Sequence, residues 1–182
     1  MLLLVGLGNP GSNYTNTRHN IGFKIIDAIN LHFKLSKQKP KFKGLLTTGN
    51  IEEKKIYAIK PLTFMNNSGT AIKELIDYFK IDAKNVIVFH DDMDIDFGKI
   101  KAKFGGSSAG HNGIESIDKF IGKEYSRVRI GIGHPKQKKK VNNHVLEDFK
   151  EDEEEKIKEI TENIVKQIPT LIDKKMDLFS SK

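Results

Sequence analysis

The chain has 182 residues, a formal net charge of +7 and no cysteine. This length suits one domain with a full hydrophobic core, and the lack of cysteine excludes disulfides, thiolate metal ligands and cysteine nucleophiles. No apolar stretch approaches the roughly 18 residues that suggest a membrane-spanning helix. The first five residues are apolar but too few for a secretory signal. We therefore expect a single cytoplasmic domain, residues 1–182, with no membrane partner.

The positive charge is unevenly distributed along the chain. Residues 1–146 carry 24 Lys and Arg against 13 Asp and Glu, whereas residues 147–182 carry 7 against 11. A basic body of this kind favours a polyanionic partner, with nucleic acid the first candidate. Only three of the 31 basic residues are arginine. A lysine-rich surface also occurs without such a partner, so charge alone leaves both interpretations open.

Hydrophobic periodicity and turn residues predict alternating strands and helices. In chain order these are a strand at 2–5, a helix at 18–33, strands at 45–51 and 55–59, a helix ending near 79, strands at 86–89 and 98–104, a helix ending near 121, a strand at 127–132 and a helix at about 151–173. Residues 34–43 are expected to be a connection, and residues 174–182 a tail. Pro169 is expected to end or kink the last helix. This order predicts an α/β fold whose mixed sheet carries helices on both faces.

The loop after the first strand matches G-x-G-x-x-G at residues 6–11. A dinucleotide site also requires the helix to begin within the glycines and an acidic residue about 20 positions further on. Here Pro10 and several turn residues precede the predicted helix, and the next acid, Asp27, falls inside it. A nucleotide-dependent enzyme is therefore the weaker interpretation of this loop.

Several predicted strands end in loops that carry polar side chains. These side chains are Asn9, His19, Asn66, Asp91 and Asn112. A histidine is the natural general base near neutral pH, and a carboxylate on its far nitrogen fixes the tautomer. Asparagine amides can hold a carbonyl or a developing oxyanion. The chain has no cysteine, and its only literal G-x-S-x-G match, residues 106–110, lies in a flexible glycine- and serine-rich loop rather than on a sharp nucleophile elbow. The set therefore favours hydrolysis by an activated water rather than through a covalent intermediate.

Four long motifs in residues 1–146 carry a family resemblance. They are GLGNPGSNYTNTRHNIGF, KPLTFMNNSG, HDDMDIDFGKIKAKFGGSSAGHNG and RVRIGIGHPKQKKKV. In order and spacing they resemble bacterial peptidyl-tRNA hydrolase, whereas the C-terminal stretch is similar only loosely. The resemblance implies a three-layer α/β/α domain with a twisted mixed sheet, and a monomer.

The resemblance also implies a reaction and three catalytic residues. The bond cut would be the ester between a peptide, or an N-blocked amino acid, and the 3′-terminal ribose of tRNA. His19 would be the general base, Asp91 would orient and polarise it, and Asn9 would help to position the water or the ester carbonyl. No metal or other cofactor would be needed. The partner would be peptidyl-tRNA, bound through its acceptor stem and 3′ end.

Further residues would bind the substrate if the resemblance holds. Asn66 and Asn112 would hold the peptide or the 3′ end, and Met65 would form part of an apolar floor. Tyr14 would line the acceptor end of the tRNA. Asn20 is a substrate-binding candidate as well, or else a helix-start residue.

Two basic residues would contact the tRNA backbone in this interpretation. Lys103 and Arg129 would clamp the 5′-phosphate, while the run at 136–140 would be a general tRNA-facing patch. His90 is expected to be structural because neighbouring side chains of a strand alternate in direction. His111 could order its glycine- and serine-rich loop or contribute to function. A basic RNA-binding module without turnover is the remaining alternative.

Overall fold

The computed structural model describes residues 1–137 and 141–174; part of the predicted basic run, 138–140, and most of the tail, 175–182, lie outside the described residues. The strands are β1 Leu2–Gly6, β2 Lys39–Lys41, β3 Gly44–Ile51, β4 Lys54–Pro61, β5 Val86–Asp92, β6 Ile100–Phe104 and β7 Ser126–Gly131. The helices are α1 Ile21–His32, α2 Ser68–Phe79, α3 Asn112–Ile121, α4 Val141–Leu146 and α5 Glu151–Ile172. Within the described ranges, no helix is both long and apolar enough to cross a membrane.

The seven strands form one mixed sheet in the order β2-β3-β4-β1-β5-β7-β6. The four central strands, β4, β1, β5 and β7, are parallel, and β3, β2 and β6 join them in antiparallel pairs. The prediction of a mixed sheet is confirmed. Because the central strands are parallel, their carboxyl ends lie along one edge, which is where open α/β sheets bind ligands.

Alternating side chains of β1 separate two hydrophobic layers. Leu2 and Leu4 pack with the buried isoleucines of α1 and α5 on one face of the sheet. Leu3 and Val5 pack with α2 and α3 on the other face. A strand that is buried on both sides has to be apolar throughout, which explains its unbroken hydrophobic run. The predicted three-layer α/β/α arrangement is confirmed.

Close packing between β1 and α1 explains the first glycine of the loop motif. A Cβ on Gly6 would lie 2.2 Å from the carbonyl oxygen of Gly22 in α1. A Cβ on Gly22 would lie 2.3 Å from the backbone nitrogen of Leu7 and 2.5 Å from the carbonyl oxygen of Phe89. The helix begins at Ile21, well beyond the glycines, so the loop lacks the strand-to-helix turn that a dinucleotide site requires.

Two elements, β2 and α4, differ from the sequence prediction, and the last helix has the predicted bounds but does not end at Pro169. The predicted connection at 34–43 contains the short edge strand β2, whose lysines and proline are common on edge strands but resemble loop composition. Helix α4 has only six residues, too few for a recognisable helical period. Helix α5 continues past Pro169 to Ile172, because Leu171 and Ile172 are buried and anchor its last turn.

We expect Gly22→Ala to lower the free energy of unfolding by about 1–3 kcal/mol, the usual cost of forcing an atom into a packed interior. Without the contacts to Leu7 and Phe89, the same change inside a helix would stabilise the protein by roughly 0.5–1 kcal/mol. Urea denaturation measures the difference. The control is Leu31→Ala on α1, a residue with 82% of its surface exposed, which should change stability by less than about 0.5 kcal/mol. A Gly22→Ala protein as stable as the wild type would contradict this packing.

Candidate active site

A cleft of about 740 Å³ opens at the carboxyl edge of the parallel strands. Its walls come from the loops after β1 and β4, the end of β5, the start of α3, and α4. The predicted site residues that line it are Asn9, His19, Met65, Asn66, Asp91 and Asn112. The fold therefore brings together side chains that are far apart in the sequence, and both Asn66 and Asn112 have exposed surface facing this space.

His19 and Asp91 form the central pair of the cleft. The Nδ1 atom of His19 lies 2.9 Å from each carboxylate oxygen of Asp91. His19 is 7% exposed and Asp91 is 1% exposed. Because an ionised carboxylate only accepts hydrogen bonds, Nδ1 carries the proton and donates it to Asp91. In neutral His19 the other ring nitrogen, Nε2, is then unprotonated and can act as a base.

The two groups shift each other's pKa. Burial by itself lowers the pKa of His19, but the charge of Asp91 and the hydrogen bond to it outweigh burial and raise the pKa above its ordinary value of 6.5. Burial by itself raises the pKa of Asp91, and the interactions with His19 and His111 outweigh burial and hold it well below its usual range. Asp91 is therefore a carboxylate at neutral pH, and His19 is a stronger base than a free imidazole.

His111 is a third member of this group, and the sequence left its role open. Its Nδ1 accepts hydrogen bonds from the backbone nitrogens of Gly113 (3.1 Å) and Ile114 (3.3 Å), so it is the N-cap of α3. The hydrogen of the neutral ring must then be on Nε2, which lies 3.0 Å from Asp91 Oδ1 and donates to it. His111 thus orders its loop and solvates the buried carboxylate as well. The role of His111 depends on which ring nitrogen carries the hydrogen. The backbone of α3 determines this, and the sequence alone does not show it.

His90 precedes Asp91 on β5 and is fully buried. Its Nδ1 donates to the carbonyl oxygen of Asp91 at 2.8 Å, and its ring packs edge-on against His111. Burial and the neighbouring His111 lower the pKa of His90 to about 3. His90 is therefore neutral at physiological pH, which agrees with the structural role expected from strand alternation.

Asn9 is held by its neighbours in a fixed orientation. Its Oδ1 accepts a hydrogen bond from the backbone nitrogen of Met65 at 2.8 Å. Asn20 makes two hydrogen bonds to the backbone of Asn9, one accepted from its nitrogen (2.8 Å) and one donated to its oxygen (2.9 Å). Asn20 lies at the N-terminus of α1 but makes no side-chain cap there. Asn20 therefore fixes the backbone of Asn9. Because Oδ1 of Asn9 is bonded to Met65, the side-chain amide nitrogen of Asn9 is the atom available to the cleft.

Strained backbone occurs at the rim of the cleft. Phe64 has φ 59° and ψ 158°, a combination that is almost confined to glycine and costs of order 1–3 kcal/mol. This conformation directs the next backbone N–H, that of Met65, toward Asn9. The Phe64 ring is half-exposed and meets Tyr14 edge-on, with ring centroids 6.5 Å apart. Tyr14 thus borders the rim through Phe64 and does not itself line the cleft.

The two predicted phosphate-binding residues lie beside the cleft on β6 and β7. The Nε of Arg129 donates to Asp92 Oδ2 at 2.8 Å, and Asp92 lines the cleft. Arg129 pairs across the strands with Lys101, so Lys103 is its diagonal neighbour. The Lys103 ammonium lies over Gly106, where a Cβ would approach it to 2.7 Å. Lys101 and Lys103 are exposed, and the described ranges contain no ion pair for either of them.

Comparison with known proteins shows the family of the chain. The sequence matches the family described as peptidyl-tRNA hydrolase over residues 3–182. The chain belongs to the peptidyl-tRNA hydrolase family. The peptidyl-tRNA hydrolase of Pelagibacter ubique (strain HTCC1062) is 73% identical over 181 residues, covering 100% of this chain and 97% of that protein. That of Ehrlichia ruminantium (strain Welgevonden) is 46% identical, covering 99% of this chain and 92% of that protein.

Solved structures agree with the sequence comparison. The crystal structure of peptidyl-tRNA hydrolase from Acinetobacter baumannii superposes with a TM-score of 0.92 at 35% sequence identity. The match covers 98% of this chain and 91% of that one. The resemblance found in the sequence motifs is therefore confirmed, and it extends through the C-terminal stretch that the motifs left uncovered.

Among the described residues of this family member, one group has the composition of a metal site. His19, Asp91 and His111 each offer a ligand atom, and these atoms lie within 4.8 Å of one another. The same atoms, however, already make the hydrogen bonds of the His19–Asp91–His111 group. These hydrogen bonds are enough to explain why the three side chains lie so close together. The geometry is that of a histidine base, His19, held in one orientation by Asp91.

We expect an NMR titration of the His19 ring to give a pKa above 6.5, with the Asp91 charge as the cause. Asp91→Asn removes that charge but keeps the burial, which lowers the pKa of His19, so the measured pKa should fall below 6.5 in the variant. His90 is the internal control, because its pKa of about 3 keeps its ring neutral throughout the neutral range. An identical His19 titration in both proteins would contradict the coupling.

Proposed function

We propose that the protein hydrolyses the ester bond between a peptide, or an N-blocked amino acid, and the 3′-terminal ribose of tRNA. The observation that carries the proposal is the buried His19–Asp91 pair at the head of a cleft lined by amides, in a chain of this family. The reaction would recycle peptidyl-tRNA that has left the ribosome.

In the proposed mechanism, His19 Nε2 takes a proton from a water molecule as that water attacks the ester carbonyl. The Asp91 carboxylate stabilises the imidazolium that forms, and it keeps Nδ1 as the protonated nitrogen. Collapse of the tetrahedral intermediate expels the ribose oxygen, which receives the proton back from His19. His111 supports this step indirectly, since its bond to Asp91 keeps the buried carboxylate ionised.

Asparagine amides are suited to the charge that develops on the carbonyl oxygen. The Oδ1 of Asn9 is occupied by the backbone nitrogen of Met65, so its amide nitrogen is the atom available to donate. This favours Asn9 as a donor to the ester carbonyl or the attacking water. Asn66 and Asn112, exposed in the same cleft, would hold the peptide or the 3′ end, over an apolar floor that includes Met65. Preorganised donors of this kind stabilise an oxyanion in a partly desolvated site.

The tRNA would lie along the basic edge of the sheet. Lys103 and Arg129 are proposed to clamp the 5′-phosphate, with Lys101 beside them on the same face. Arg129 uses Nε to bind Asp92, which leaves its terminal nitrogens for a phosphate. Tyr14, next to Phe64 at the rim, would contact the acceptor end. The protein is proposed to act as a monomer.

We expect His19→Ala to lower the hydrolysis rate of N-acetylaminoacyl-tRNA by roughly 10²–10⁴-fold, the usual contribution of a general base. The matched control is His32→Ala, which removes an exposed histidine from α1 and should leave the rate unchanged. Release of N-acetylamino acid is measured beside release from unblocked aminoacyl-tRNA, which should be far slower with the wild type. A loss below a hundredfold would argue against the general base. Binding of tRNA by the wild type without any cleavage would favour the RNA-binding module.

We expect Lys103→Ala to weaken tRNA binding and to flatten its dependence on salt. Each lost phosphate contact should reduce the slope of log affinity against log salt by roughly 0.7–0.9. The control is Lys39→Ala on β2, an exposed lysine at the opposite edge of the sheet, whose slope should match the wild type. Equal slopes for Lys103→Ala and the wild type would remove this lysine from the phosphate clamp.

A further inference from the structure

Helix α4 is a wall of the cleft that the sequence did not predict. Val141, Asn142, Val145 and Leu146 all line the cleft, and Leu146 is 47% exposed there. Three of these four side chains are aliphatic, so this side of the cleft is apolar. A six-residue helix is not stable by itself in water, and the wall therefore depends on contacts that hold it in place.

Several of those contacts are made by Arg18, which is 2% exposed. Its Nη1 donates to the carbonyl oxygen of His144 at 3.2 Å and to that of Glu147 at 3.5 Å, at the C-terminal end of α4. Its Nη2 donates to Glu153 Oε1 at 2.9 Å, in the first turn of α5. The guanidinium also lies over the ring of Phe149, 5.8 Å from the centroid. One planar side chain thus joins the ends of two helices.

The same short segment carries His19. Residues Arg18–Asn20 form a 3-10 turn in which His19 faces Asp91 while Arg18 faces α4 and α5. The backbone reinforces this connection, because the nitrogen of Arg18 donates to the carbonyl oxygen of Glu147 at 3.0 Å. Arg18 therefore resists displacement of α4 relative to the general base, together with the contact of His144 Nε2 with the carbonyl oxygen of Ile132 (3.3 Å) and the backbone bridge between Thr17 and Asp148.

We propose that Arg18 is a positioning residue that holds α4 as an apolar wall for the side chain of the esterified amino acid. This rests on the proposed function, since it assigns the α4 side of the cleft to the acyl part of the substrate. Arg18 itself touches neither the substrate nor the reacting atoms. Its guanidinium is suited to the role because several donors in a fixed plane can bind carbonyls and a carboxylate together.

The test compares N-acetylphenylalanyl-tRNA with N-acetylglycyl-tRNA, which lacks an apolar side chain. We expect Arg18→Gln to raise the KM for the phenylalanyl substrate about tenfold, the lower end of what one methylene group contributes in an apolar pocket. The KM for the glycyl substrate, the kcat for both and the pH dependence of kcat should change little. Arg18→Lys keeps the charge without the planar fork and should restore only part of the difference. The matched control is Glu147→Gln, which should behave as the wild type, because the Glu147 side chain is exposed and its carboxylate lies 3.5 Å from Arg18 Nη1.

A second variant keeps the test decisive if Arg18→Gln does not fold. Leu146→Ala removes part of the wall and leaves Arg18 in place, so it should raise the KM for the phenylalanyl substrate selectively. If Arg18→Gln raises the KM equally for both substrates, or changes neither, Arg18 does not have the proposed role. If Leu146→Ala does not raise the KM for the phenylalanyl substrate selectively, α4 is not the proposed wall. Neither result would contradict the hydrolase activity. If the wild type cleaves neither substrate, the proposed function itself fails.

Discussion

The buried carboxylate of Asp91 is the constraint on which the rest of the site depends. An ionised group this far from water is stable only if donors replace its hydration. His19 and His111 supply those donors, and each is held by a separate element of the fold. The parallel pairing of β5 with β1 and β7 fixes the strand end from which the carboxylate projects. The basicity of His19 therefore depends on the sheet, because the strand pairing determines where the charge of Asp91 lies.

The candidate catalytic residues and the exposed lysines of β6 lie in different parts of the molecule. The cleft holds four asparagine amides, an apolar floor and the His19–Asp91 pair, whereas the exposed Lys101 and Lys103 lie on the edge strand β6. Arg129 connects these regions, because it lies beside the lysines and binds Asp92 at the cleft. Such a separation allows a long anion to bind over a wide basic surface without placing unpaired positive charge beside the base.

The sequence predicted the strands that position the site, because they are long apolar runs followed by turn residues. It also placed Asn9, His19, Asp91 and Asn112 at strand ends. Their residue types suggested a general base, an orienting carboxylate and amide donors, and the family resemblance then assigned the role of each residue. The part played by His111 could not be predicted, since it depends on a tautomer that the backbone of α3 selects. The wall formed by α4 was missed because its six residues are stabilised by contacts with Arg18, which lies more than a hundred residues earlier in the chain. Short elements of this kind are specified by tertiary contacts rather than by local pattern.

The Arg18–Glu153 contact has a consequence for synthesis of the protein. The two residues are 135 positions apart, and His19 is separated from Asp91 by 72. Contacts between such distant segments form only after the intervening chain is available to fold. In a growing polypeptide, the contact that joins Arg18 to the first turn of α5 therefore forms only after Glu153 has emerged from the exit tunnel. A nascent chain shorter than this, which is itself esterified to tRNA on the ribosome, lacks the Arg18–Glu153 contact beside its cleft.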